Sequence, residues 1–112
     1  MKRQAIVAFV IAGVLSAAVW ALSPTLTGHA EPWDSEGPYY VSALAIAGAL
    51  AGGLYPKSLW AHYLGAVVGQ AAYELLFLKF GPLFPLGVVF LLGYGIVFVA
   101  GAALAAFIRL RW

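Results

Sequence analysis

The chain has 112 residues, 64% of them hydrophobic and 9% charged, with a mean hydropathy of +0.97. A soluble domain carries roughly a quarter charged residues, so this composition excludes an ordinary water-soluble globule, which would lack the polar surface to cover itself. Six basic and four acidic residues give a formal net charge of +2, but the bases do not form the patch a nucleic-acid binder uses, and the lack of cysteine removes disulfides, thiolate metal sites and cysteine nucleophiles.

The first predicted element runs over 4–22. Its start, Met1-Lys2-Arg3, and the small residues near Gly28-His29-Ala30 have the outline of a signal peptide. The apolar run of roughly 19 residues is longer than a signal core and long enough to span hydrocarbon. Trp20 stands near its far end, and Ser23-Pro24 should stop the helix, because proline disfavours helical backbone in the residue before it. The stretch 23–37 reads as an external acidic loop, with Glu31, Asp34 and Glu36 among helix-breaking Gly and Pro residues.

The second span is expected over 38–54. Pro38 suits a first helical position, Tyr39 and Tyr40 are placed for a headgroup interface, and Gly52-Gly53 with Pro56 end the segment. Ser58 then caps a third span over 59–79, stopped by Gly81-Pro82, and Pro85 opens a fourth over 85–108. The tight connections imply that the second span packs antiparallel beside the third, and the third beside the fourth. The fold class expected is therefore all-α: a polytopic membrane protein with its four transmembrane helices in one antiparallel bundle, forming a single domain over 1–112.

Sidedness follows from Lys and Arg in short flanking segments. Lys2, Arg3, Lys57, Arg109 and Arg111 fall on one side, against Lys79 and the three loop acids on the other, which makes the N- and C-termini cytoplasmic. The compact chain fits a bacterial inner (cytoplasmic) membrane.

Few residues remain to carry chemistry. Glu74 is the one acid inside a predicted span and shares a broad face of the third helix with His62, Gly65, Ala66, Gly69, Gln70 and Tyr73. An acid at such depth is a candidate for exchanging a proton or binding a cation, with Gln70, Tyr73 and Tyr94 as co-ligands. The structural alternative has it reaching toward water, bonding Gln70 or pairing with Lys79. His62 lies about 18 Å from Glu74 along the axis at 1.5 Å per residue, so the two cannot form a catalytic pair within one chain. The loop residues His29, Glu31, Trp33, Asp34 and Glu36 match no calcium or zinc spacing and read as a docking surface for a basic partner, Trp33 doubling as a headgroup anchor.

Gly48 with Gly52, Gly65 with Gly69, and Gly101 with Ala105 are small residues four apart, a spacing that lets apolar helices approach closely. Because the first two pairs sit on consecutive spans, a tight hairpin between those spans is expected. No phosphate loop, metalloprotease, hydrolase or dinucleotide motif occurs, so no cofactor is implied and enzyme activity is not expected, a lipid-modifying enzyme being the remote alternative. The partners expected are the lipid bilayer and either further copies or a larger membrane complex, with no nucleic acid. The function expected is that of an accessory or structural membrane subunit; the alternative is an oligomeric channel or a proton- or cation-coupled transporter using Glu74.

Overall fold

Backbone amides among apolar side chains have to bond one another, and a helix does this within one segment. The computed structural model describes residues 2–29, 32, 37–77 and 84–111, and it is all-α. Four helices form it: α1 (Arg3–Thr27), α2 (Tyr39–Leu54), α3 (Leu59–Phe77) and α4 (Phe84–Arg111). Arg3–Thr27 and Pro85–Leu110 are long and apolar enough to cross a membrane.

The main departure in extent is α1, which continues past Pro24 to Thr27. A proline removes one helical N–H without forbidding helix beyond it, and here local hydroxyls hold the extra turn. Thr27 Oγ1 donates to the Ser23 carbonyl at 2.8 Å, and Ser23 Oγ donates to the His29 carbonyl at 2.6 Å. Gly28, at φ 79°, closes the helix in the left-handed region, and its N–H donates to Pro24 O at 3.0 Å. Lys79, Gly81 and Pro82, expected to end the third span, lie outside the described residues.

Helix pairing differs from the sequence expectation. α2 packs chiefly on α4 and α1 chiefly on α3, whereas α2 and α3 barely touch despite their short connection. The main pairs are parallel. Gly65 faces the Phe9 carbonyl and Gly69 the Gly13 carbonyl, while Gly48 faces Phe98 and Gly52 faces Ala102, numbers rising together in both pairs. The hairpins α1–α2 and α3–α4 thus lie side by side, so that α1 with α3 makes one layer and α2 with α4 the other.

Glycine explains why these pairs prevail. A Cβ on Gly48 would lie within bonding range of the Phe98 carbonyl oxygen, and one on Gly101 would clash with the Ala45 carbonyl oxygen, so α2 and α4 interlock reciprocally. The expected tight hairpin between α2 and α3 is absent because each helix spends its small-residue face on a more distant partner. α1 presents Ala5, Ala8, Ala12 and Ser16 to α3 at a helical spacing of three and four. Large apolar side chains point outward on every helix, Val14, Ile46, Leu76 and Ile96 among them.

Candidate functional site

The buried face of α3 contains Ala61, His62, Gly65, Ala66, Val67, Gln70 and Glu74, close to the polar stripe read from the sequence. Its two long polar side chains occupy a layer to which all four helices contribute. Gln70 is fully buried. Its Oε1 accepts from Trp20 Nε1 of α1 at 2.7 Å and from the Tyr40 hydroxyl of α2 at 2.5 Å, and its Nε2 donates to the Ala66 carbonyl one turn back at 3.0 Å. One amide thereby ties three helices together.

Aromatic rings enclose this amide. Tyr94 of α4 stacks obliquely on Tyr40 with centroids 4.5 Å apart, while Trp20 meets Tyr40 edge-on and Tyr73 at a tilt, each at 6.4 Å. Glu74, one turn beyond Gln70, is only 6% exposed and lies within electrostatic reach of the Tyr40 hydroxyl. The carboxyl group is therefore part of the core rather than extended toward the surface. Gln70, Tyr73, Glu74 and Tyr94 are brought together, but inside this chain's own bundle, with Tyr73 and Tyr94 half-buried.

Two members of the layer escaped the sequence reading as site residues. Tyr40 stands beside Tyr39 at the start of α2, where an interfacial ring is the usual expectation, yet it is 4% exposed. Its spacing with Leu44, Ala47, Gly48 and Ala51, all buried, is the signal that separates it from its neighbour. Tyr39 is half-buried and donates its hydroxyl to the Val19 carbonyl at 2.5 Å. Trp20, at the end of an apolar run, also has the pattern of an interface anchor, but its indole N–H is spent on Gln70.

A smaller polar contact occupies the opposite end. His62 is fully buried, and its Nε2 lies 2.8 Å from the Tyr55 carbonyl, which requires Nε2 to carry the proton because a carbonyl only accepts. Nδ1 has no hydrogen-bond partner among the described residues. Gly48, Gly52, Gly65, Gly69 and Gly101 all lie at the helix crossings described above. In the loop His29 is exposed, while Glu31, Trp33, Asp34 and Glu36 lie outside the described residues. No group of three or more His, Asp or Glu gathers among the described residues as a metal would require.

No protein-family model, curated protein or solved structure matches this chain.

Proposed function

We propose that the chain is an integral membrane protein with four transmembrane spans, both termini cytoplasmic, and that it acts as a small accessory or structural component of a bacterial inner membrane, alone in several copies or within a larger complex. One observation carries this reading: the buried polar groups around Gln70 are turned inward, with Gln70 bonded to Trp20 and Tyr40, while large apolar side chains lie on the outside of every helix. Polar chemistry is spent on holding helices together, and the surface suits lipid and helical partners. Purification in mild detergent should recover a stoichiometric partner or a stable homo-oligomer; a dispersed monomer with no companion would contradict the accessory role.

A second reading has its own support in Glu74. Its carboxyl group is buried beside Tyr40, and an acid within a span is a common site of proton or cation coupling. In that reading the protein transports a proton, a cation or a coupled small solute, with Gln70, Tyr73 and Tyr94 beside the acid. Reconstituted protein should then show a flux that Glu74→Gln abolishes, and equal flux in the variant would remove Glu74 from the mechanism.

A further inference from the structure

The described basic residues collect at one end of the fold. Ala5, Ala8 and Ala61 share a cluster with Tyr55, so parallel α1 and α3 place the exposed Lys2 and Arg3 level with the exposed Lys57. Arg109 reaches the same end from α4, where its Nη1 donates to the carbonyls of Gly53 at 2.5 Å and Leu54 at 2.9 Å. Two residues of chain separate Leu54 from Lys57, and their Cα atoms can lie at most about 11 Å apart, which keeps Lys57 at the same end of the fold as Arg109. Glu74, the one acid among the described residues, belongs to the other end with Trp20 and Tyr40.

The two carbonyl bonds engage Nη1 alone. Among the described residues nothing bonds the Nε–Nη2 edge of this exposed guanidinium, and that edge has the paired geometry that grips an oxyanion with two parallel hydrogen bonds. Because α2 already holds the group in place, little ordering remains to be done when a ligand arrives. Exposed Leu54, Leu59 and Trp60 flank this end, offering apolar contact to acyl chains and a ring suited to the headgroup level.

We propose that this end binds the phosphodiester headgroup of an anionic phospholipid, held by the Nε–Nη2 edge of Arg109 and by Lys57, with Lys2 and Arg3 adding attraction. The inference rests on the membrane reading above. A basic residue near an anionic membrane surface is worth about fivefold in binding, so two cations on one headgroup discriminate strongly against a zwitterionic lipid.

The test uses the full chain in mild detergent with equal amounts of phosphatidylglycerol and phosphatidylcholine of identical acyl chains, the retained lipid being counted by native mass spectrometry. Phosphatidylglycerol should be retained about 25-fold over phosphatidylcholine, about fivefold from each of the two cations. Lys57→Gln, whose side chain is exposed, should lower that preference about fivefold with helix content unchanged, and adding Arg109→Gln should erase it. Arg109→Lys, which keeps the charge and loses the paired edge, should also weaken it. Equal retention of the two lipids, an undiminished preference in the double variant, or full displacement by millimolar inorganic phosphate would each overturn the inference. The membrane reading fails by a different result, release of the chain from membranes by alkaline carbonate; a chain that stays in the membrane without lipid preference overturns the headgroup site alone.

Discussion

Adding a single methyl group at Gly48 should unlock α2 from α4. The new Cβ would fall within bonding range of the Phe98 carbonyl oxygen and 2.8 Å from its carbonyl carbon. The clash is with backbone, so no side-chain rotation relieves it. Restoring ordinary contact requires the helices to part by about 1.5 Å at the crossing, which also loosens the dispersion contacts at Gly52 and Gly101. Overpacking of a tight core typically costs about 1–3 kcal/mol, and a backbone clash belongs at the upper end. Alanine returns roughly 1 kcal/mol through its better helix propensity, leaving a net loss of about 1–2 kcal/mol for Gly48→Ala. Gly93 provides the matched control: it lies in α4 with nothing within 4 Å of its would-be Cβ, so Gly93→Ala should stabilise by up to about 1 kcal/mol. Reversible unfolding of both variants in mixed micelles, followed by helical circular dichroism, compares the same chemical change at two places. Equal stability of the two variants would refute the close α2–α4 crossing.

Other substitutions probe the polar layer and the helix ends. Gln70→Leu keeps the approximate volume but leaves the Trp20 indole N–H and the Tyr40 hydroxyl without their shared acceptor, and should cost about 2–4 kcal/mol in the same unfolding assay. Tyr40→Phe removes one of those donors and should cost about 1 kcal/mol; in a double-mutant cycle its effect should largely vanish on a Gln70→Leu background, and full additivity would separate the two residues. Arg109→Gln uncovers the Gly53 and Leu54 carbonyls at the end of α2, where a cation also suits the helix dipole, and should speed amide hydrogen exchange in the last turn of α2 while leaving α3 unchanged.

The existence and rough extent of the helices were legible because apolar runs bounded by Pro and Gly leave the chain few alternatives. Against expected spans of 38–54 and 59–79, the described helices run Tyr39–Leu54 and Leu59–Phe77, residues 78 and 79 lying outside the described residues. Pro24 misled the reading of α1, since a proline tolerates one lost rung when Ser23 and Thr27 hydroxyls support the turn. Pairing was less legible. Gly48-xxx-Gly52 announces that a face will be approached closely, but it does not say by which helix, and short loops suggest sequence neighbours. Helices that are apolar all round also give no amphipathic sign of which face turns inward, so only small residues and the stripe through His62 and Gln70 marked the interior. Trp20 and Tyr40 were hidden for a related reason: an aromatic residue at the end of an apolar run looks alike whether its polar atom meets water or an amide fifty or thirty residues away.

In the proposed topology, with the basic end inside, His29 and Lys57 face opposite sides of the membrane. The chain has no native cysteine, so single cysteines can report sidedness through a membrane-impermeant maleimide applied to intact cells. His29→Cys, in the exposed turn after α1, should label from outside, and Lys57→Cys, in the exposed linker between α2 and α3, should label only after the membrane is opened. Labelling of Lys57→Cys but not His29→Cys would contradict the assigned sidedness, and recovery of either variant as a soluble particle without detergent would contradict the membrane reading itself.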